Sequence, residues 1–196
     1  RQPAVLHEDN HLLVLDKPAG IPTIGTGADT PGLVGWGREY LRERYQKPGN
    51  VFLGVVSRLD ALVTGVIVFA RTSKAAARLS EQFRERSVRK TYLAVLGPGV
   101  ERNAPAQPLP TASTLSHHVW RDEAHHRMAA VSAESAAPAG SQRAELGFRP
   151  LAESGGLRLV EVELVTGRKH QIRVQFAALG WPVVGDAKYG SAIRFA

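Results

Sequence analysis

The chain of 196 residues contains no cysteine and only one methionine. Without cysteine it forms no disulfide and offers no thiolate to a metal ion. A membrane-spanning helix needs about 20 consecutive apolar residues, and no run in this chain approaches that length, so we expect no membrane partner. Disulfides mark oxidising compartments, so these absences favour a cytoplasmic protein.

Common cofactor-binding and nucleophile motifs are also missing. The sequence has no Walker-type phosphate loop and no serine nucleophile elbow. Gly25-Thr-Gly27 lacks the third glycine of a dinucleotide fingerprint. We therefore expect no nucleotide cofactor.

The composition shows a deficit of acidic residues. Lys and Arg number 25 against 18 Asp and Glu, which gives a formal net charge of +7. Such a surplus favours a polyanionic partner, RNA or DNA before a membrane, although it also fits a surface charge that only aids solubility. The hydrophobic fraction of 43% is sufficient for a packed core.

Short apolar runs bounded by Gly and Pro predict strands, and longer runs with helical spacing predict helices. The predicted strands cover His11–Asp16, Val51–Val56, Val66–Ala70, Tyr92–Leu96 and Leu157–Val165. The predicted helices run from Thr30-Pro31 to Lys47, from Thr72 or Ser73 to about Arg86, and from Arg168 to Leu179. This pattern predicts an α+β fold with a mixed, mostly antiparallel sheet flanked by helices and loops.

The segment 97–143 has a weaker pattern, rich in Pro, Ala and Ser, and we predict loops around a hairpin near 113–131. Two histidine pairs, His117-His118 and His125-His126, lie in it. Zinc ligands usually follow turn or i,i+4 spacing with cysteine or carboxylate partners. We therefore favour a solvated hairpin over a metal site and predict no metal.

The most chemically suggestive residue is Asp60, which follows a predicted strand in Ser57-Arg-Leu-Asp60 and precedes the turn at Thr64-Gly65. A sheet can hold a carboxylate at such a position while the loop exposes it. Taken alone, the segment favours a structural aspartate that binds loop amides or pairs with Arg58.

Five segments in order resemble the RluA-like pseudouridine synthases, which isomerise uridine in RNA. They are His11-Leu-Leu-Val-Leu-Asp-Lys-Pro-Ala-Gly20, Ser57-Arg-Leu-Asp60 with Thr64-Gly65, Arg89-Lys-Thr-Tyr92, Leu164-Val-Thr-Gly-Arg-Lys-His-Gln-Ile-Arg173, and Leu179-Gly-Trp-Pro-Val-Val-Gly-Asp186 with Tyr189-Gly190. The resemblance implies the pseudouridine synthase catalytic fold with a central cleft. It also implies one catalytic domain over residues 1–196, truncated at the C-terminus.

The same resemblance implies roles for individual residues. Asp60 is the expected catalytic carboxylate, Tyr92 stacks on the target base, and Arg173 pairs with Asp60 and keeps it ionised and oriented. Arg58 enters the RNA stack when the target nucleotide flips out. Further candidates for contact with RNA are Lys17, Arg84, Arg86, Arg89, Lys90, Arg168, Lys169 and His170.

The implied reaction is an isomerisation within rRNA or tRNA by a monomer, and it needs no cofactor. The chain departs from the usual family pattern at Ser57, Ala61, Thr64 and Gln175. These departures leave open a catalytically silent RNA-binding domain of the same fold. A hydrolytic nucleoside or glycoside enzyme would need a second carboxylate. Asp186 is the nearest candidate for one, and we interpret it as a turn residue.

Overall fold

The computed structural model describes residues 2–25, 27, 32–100, 109 and 111–194. The chain divides into two compact units, residues 1–88 and residues 89–196. Each unit has its own sheet and its own helices, which confirms the α+β class. The described strands pair in antiparallel fashion, in agreement with the predicted mostly antiparallel pairing, and they are divided between two sheets.

The first unit contains a four-stranded sheet and two helices. Its strands are β1 (Ala4–Glu8), β2 (Leu12–Lys17), β3 (Gly54–Val55) and β4 (Gly65–Ala70), in the order β1-β2-β4-β3. Its helices are α1 (Leu33–Arg44) and α2 (Ser73–Arg84). Alternate residues of β2 and β4 point to one face. They pack there with buried residues of α1, in a core of Leu13, Leu15, Leu33, Leu41, Ile67 and Phe69.

Local signals in the first unit were informative to different degrees. The Thr72 hydroxyl accepts a hydrogen bond from the Ala75 amide at 3.1 Å and caps α2, which confirms the predicted start of that helix. Helix α1 begins at Leu33 after Gly32, and the predicted cap at Thr30-Pro31 lies outside the described residues. The strand predicted over Val51–Val56 is only two residues long.

The second unit contains a five-stranded sheet. Its strands are β5 (Thr91–Leu96), β6 (Ser113–Asp122), β7 (Arg127–Ser132), β8 (Gln142–Ser154) and β9 (Leu157–Leu164), in the order β5-β9-β8-β6-β7. Helix α3 (Gln171–Ala178) and a short 3-10 helix (Ala187–Tyr189) follow. Phe176 of α3 is fully buried, and its ring meets that of Phe148 edge-to-face at 5.2 Å.

The predicted hairpin near 113–131 is present as β6 and β7. Neighbouring residues of a strand point to opposite faces, so His117 and His118 cannot bind the same ion. His117 is buried, and His125 at the hairpin turn pairs with Asp122 at 2.7 Å. Within the described ranges, no three metal-ligating side chains cluster, and no helix is long and apolar enough to cross a membrane.

Candidate active site

Asp60 opens a tight turn in the first unit. The Val63 amide donates to the Asp60 carbonyl at 3.1 Å, which makes Ala61 and Leu62 the central residues of a β-turn. Asp60 itself is half-buried, whereas the Leu62 side chain is largely exposed. The turn leads directly into β4, so the sheet fixes its exit.

Two groups hold the Ala61 carbonyl. Lys17 ends β2, and its Nζ donates to the carbonyl oxygens of Ala61 at 2.8 Å and Pro18 at 2.9 Å. The Gly20 amide donates to the same Ala61 oxygen at 2.8 Å. Gly20 adopts φ +90°, which only glycine reaches readily, and this explains the glycine of the Lys-Pro-Ala-Gly segment. The strand end and its loop therefore anchor the turn that carries Asp60.

A third anchor lies on the other side of Asp60. The buried Thr23 hydroxyl donates to the Leu59 carbonyl at 2.9 Å and accepts from the Leu59 amide at 3.1 Å. Both backbone groups of the residue before Asp60 are thereby satisfied by one side chain. With its neighbours held on both sides, the Asp60 backbone is well positioned before any substrate arrives.

The burial of Lys17 corrects one expectation. Its side chain is 0% exposed and donates to backbone carbonyls, so it is not available for the predicted contact with RNA phosphate. Burial lowers the pKa of Lys17, and the negative charge of Asp60 partly opposes that effect. Arg58, on the other hand, is exposed.

In the second unit, two side chains fasten the loop between β9 and α3 to β8. The buried Thr166 hydroxyl accepts from the Glu145 amide at 2.8 Å and donates to Gln171 Oε1 at 2.8 Å. Gln171 Oε1 also accepts from the Arg168 amide at 2.9 Å, and its Nε2 donates to the Glu145 carbonyl at 3.0 Å. These bonds explain the Thr and Gln of the Thr-Gly-Arg-Lys-His-Gln segment.

Helix α3 begins at Gln171 rather than at Arg168 as predicted. His170, the residue before it, has φ 54° and ψ 27°, a left-handed conformation that cannot continue a right-handed helix. Arg168, Lys169 and His170 therefore lie in the loop that precedes the helix. Lys169 is exposed, and Arg168 Nε donates to the Arg143 carbonyl at 3.0 Å.

Arg173 lies in the first turn of α3 and forms a bidentate ion pair with Asp186. Its Nε and Nη2 atoms donate to the two carboxylate oxygens at 2.6 and 2.9 Å. The side chains are 23% and 8% exposed, respectively. The Arg173 guanidinium carbon also lies 4.9 Å from the centroid of the Tyr189 ring.

The remaining predicted residues lie at the start of the second unit. Tyr92, on β5, is half-buried and packs against the buried apolar cluster that includes Phe176 of α3. Arg89 is exposed and lies 3.7 Å from Glu163, whereas Lys90 is half-buried. Asp60 thus belongs to the first unit, and Tyr92 and Arg173 belong to the second.

The sequence-based interpretation gave no catalytic or RNA-binding role to four residues of these arrangements. They are Thr23, Gln171, Asp186 and Tyr189. Asp186 and Tyr189 were already visible as Gly185-Asp186 and Tyr189-Gly190, three residues apart at the end of the matched pattern. That proximity in sequence was the available signal.

The family profile described as RNA pseudouridylate synthase matches residues 11–178. The chain therefore belongs to the RluA-like family of RNA pseudouridine synthases, which are isomerases.

Individual relatives agree with this assignment. An uncharacterized RNA pseudouridine synthase, YhcT, of Bacillus subtilis (strain 168) is 35% identical over 97% of this chain and 58% of its own length. The dual-specificity RNA pseudouridine synthase RluA of Vibrio vulnificus (strain CMCP6) is 32% identical over 97% of this chain and 70% of its own. The solved structure of human RNA pseudouridylate synthase domain containing 4 has a TM-score of 0.71 and 29% identity, with 98% of this chain and 71% of that chain covered.

The chain is shorter than each of these relatives. It spans 58% of the Bacillus protein and 53% of the ribosomal large subunit pseudouridine synthase C of Escherichia coli (strain K12), to which it is 31% identical. The similarity covers nearly all of this chain, and the relatives contain further sequence.

Proposed function

We propose that this chain isomerises specific uridines of rRNA or tRNA to pseudouridine, with Asp60 as the catalytic carboxylate. The observation that carries the proposal is the anchored turn of the first unit. Lys17, Gly20 and Thr23 hold the residues on both sides of Asp60 while its side chain stays half-buried rather than sealed. A catalytic group gains from such prior positioning, since a displacement of about 1 Å can cost a hundredfold in rate.

The reaction suits a single carboxylate. The bond from the ribose to N1 of uracil breaks, the base turns, and a new bond forms to C5, whose proton is lost while N1 gains one. No electrons leave the substrate, so no redox partner is needed. A carboxylate can either attack as a nucleophile or stabilise an oxocarbenium-like sugar, as in glycoside chemistry.

Three further residues have proposed roles in the reaction. Tyr92 stacks on the flipped base, and Arg173 is the proposed catalytic arginine. Arg58, exposed and two residues before Asp60, takes the place of the flipped base in the RNA stack. Flipping is required because a stacked base hides its glycosidic bond, and it costs a few kcal/mol.

Exposed cations supply the proposed affinity for RNA. Phosphate contacts bind without reading the sequence, so these residues do not determine which uridine is changed. They are Arg58, Arg84 and Arg86 in the first unit, and Arg89 and Lys169 in the second, with Lys90, Arg168 and His170 partly exposed. We propose a monomer that acts in the cytoplasm without a metal ion.

Tritium release from C5-labelled uridine tests the proposal. Unmodified rRNA and tRNA transcripts from the source organism are the substrates. Asp60→Asn should abolish release while the melting temperature and the RNA dissociation constant stay close to wild type, because an amide has the shape of a carboxylate but is a poor nucleophile. Asp16→Asn, the same change on β2 of the same unit, is the matched control and should remain active.

Two outcomes would contradict the proposal in different ways. Turnover by Asp60→Asn near the wild-type rate would remove Asp60 from the mechanism. A wild-type chain that binds the transcripts but releases no tritium from any of them would favour the silent RNA-binding domain.

A further inference from the structure

We propose that Asp186 and Tyr189 are positioning residues of the isomerisation, which orient the guanidinium of Arg173. This inference rests on the proposed function. It assigns to the Gly185-Asp186 turn a part in the reaction that goes beyond shaping the chain. The whole arrangement lies within the second unit.

The geometry of the ion pair determines the direction of the guanidinium. Asp186 accepts from Nε and Nη2 of Arg173, so it occupies one edge of the planar fork. A bidentate pair fixes the plane of the guanidinium as well as its position. The opposite edge, which carries Nη1, consequently has a defined direction, and a group of the reaction can meet it without any rearrangement of Arg173.

The Tyr189 ring supports the guanidinium on one face. Tyr189 is 6% exposed, and its hydroxyl accepts from the Met128 amide at 3.1 Å. The same hydroxyl lies 2.8 Å from His170 Nδ1, and the two rings meet edge-to-face. Tyr189 is therefore tied to β7 and to the residue that precedes α3, which makes it a rigid support for Arg173.

The 3-10 helix presents the two residues together. Asp186 immediately precedes this helix and Tyr189 ends it, and both side chains contact the Arg173 guanidinium. The amides of Tyr189 and Ser191 both donate to the Asp186 carbonyl at 3.1 Å. One short and well-bonded turn thus carries both the carboxylate and the ring that hold Arg173.

Stability alone is a weak reason for this arrangement. A largely buried ion pair often contributes little net stability compared with apolar residues of similar size, because both charges lose their hydration. Arg173 also lies near the N-terminus of α3, where a cation is unfavourable and where the first turn has no acidic residue. A cation placed there and compensated by Asp186 is better explained by a need for a directed guanidinium.

The experiment separates turnover from RNA binding. Asp186→Asn should lower kcat for tritium release about 10- to 100-fold, because the guanidinium loses its orientation, while KM stays within about threefold. Glu161→Gln is the matched control in the same unit. It removes a carboxylate from the exposed Arg149 pair, where the two side chains meet at 2.8 Å, and should keep kcat within about twofold.

A double-mutant cycle identifies the route of the effect. If Asp186 acts through Arg173, the Asp186→Asn substitution should change kcat little in an Arg173→Lys background, because that variant has already lost the bidentate fork. A purely structural Asp186 would instead give additive losses and a lowered melting temperature. Additive losses in the cycle, or a kcat of Asp186→Asn within threefold of wild type, would overturn the inference.

Two further variants keep the test decisive. Asp186→Glu retains the charge but shifts it by one methylene group, so it should fold like the wild type and still lose kcat; it decides the question if Asp186→Asn does not fold. Tyr189→Phe keeps the ring and removes the hydroxyl, and should give a smaller loss in kcat at unchanged KM.

Full activity in Asp186→Glu would contradict the inference while Asp60 retained its role. A wild-type chain without tritium release overturns the proposed function and this inference together.

Discussion

Lys17 Nζ lies 2.8 Å from the carbonyl oxygen of Ala61, the residue that follows Asp60. The contact joins the end of β2 to the turn that carries the proposed catalytic carboxylate, across 44 positions of the chain. The fully buried ammonium of Lys17 stabilises this turn and is not exposed for contact with RNA. Its charge and its two donated bonds lead to the first prediction.

Replacing Lys17 by methionine should destabilise the first unit and slow the reaction. The change removes the hydrogen bonds to two carbonyls in a buried place, and a lost bond of this kind costs about 1–3 kcal/mol. The released turn should then lower the rate of tritium release. Urea unfolding and the tritium assay measure the two effects. Lys74→Met, on the exposed surface of α2, is the control, and equal stability of the two variants would contradict the prediction.

Glu8 predicts an acid-sensitive first unit. Its carboxylate is 10% exposed and accepts hydrogen bonds from the hydroxyls of Tyr40 and Tyr45. It also forms ion pairs with Arg71 and Arg44. Burial raises the pKa of Glu8, but the two tyrosine hydrogen bonds and the two arginine charges outweigh it, and the net pKa is lowered. This stabilisation is present above the ordinary carboxyl pKa and is lost as the pH falls through the folded-state pKa.

Glu8→Gln should therefore lower the free energy of unfolding at pH 7 by about 1–3 kcal/mol and flatten its decline below about pH 5. Trp36 reports on the first unit if the change is made with Trp120→Phe and Trp181→Phe, since these two tryptophans belong to the second unit. A pH dependence identical to that of the parent would show that Glu8 does not act in this way.

His117 predicts a second pH effect, in the other unit and at higher pH. It is buried in β6, and its Nδ1 lies 3.0 Å from Gln175 Nε2. Burial lowers the pKa of His117, so the folded state binds the proton less readily than the unfolded state. The contribution of His117 to the free energy of unfolding is fully present above about pH 6.5. It decreases as the pH falls toward the folded-state pKa.

Replacing His117 by glutamine should remove that part of the acid sensitivity, because the new side chain does not titrate. A Trp36→Phe background leaves Trp120 and Trp181 as reporters of the second unit. Chemical unfolding at pH 7.5 and pH 5.5 gives the comparison. A wild-type unfolding free energy that does not change between these two values would contradict the prediction.

Lys169 should contribute affinity for RNA but no selectivity. It is exposed in the loop before α3, and each phosphate contact adds about one unit to the slope of log Kd against log salt. Lys169→Ala should reduce that slope by about one unit and weaken the binding of all transcripts to the same extent. Arg42→Ala serves as the control, because Glu39 already pairs with Arg42 at 2.5 Å. A change in which uridine is modified would point to base contacts instead.

Local chemistry made several elements of the fold predictable. The Thr72 hydroxyl caps α2 where expected, and alternating residues located β9 to within one position. The same reasoning placed the start of α3 three residues too early, because a left-handed His170 is not recognisable from residue type. It also overestimated the strand at Val51–Val56, since apolar residues can be buried without strand pairing.

The sequence by itself determined the α+β class, the family and the position of the proposed catalytic aspartate, because these depend on local periodicity and on short ordered segments. Only the tertiary structure decided what Lys17 and Arg173 contact. Lys17 reaches Ala61 across 44 positions, and Arg173 reaches Asp186 across a helix and a turn. The physical reason is that a cation at either position suits solvent, phosphate or a buried acceptor equally well. Burial and the geometry of the surrounding oxygens select among them, and both arise only when distant segments pack together.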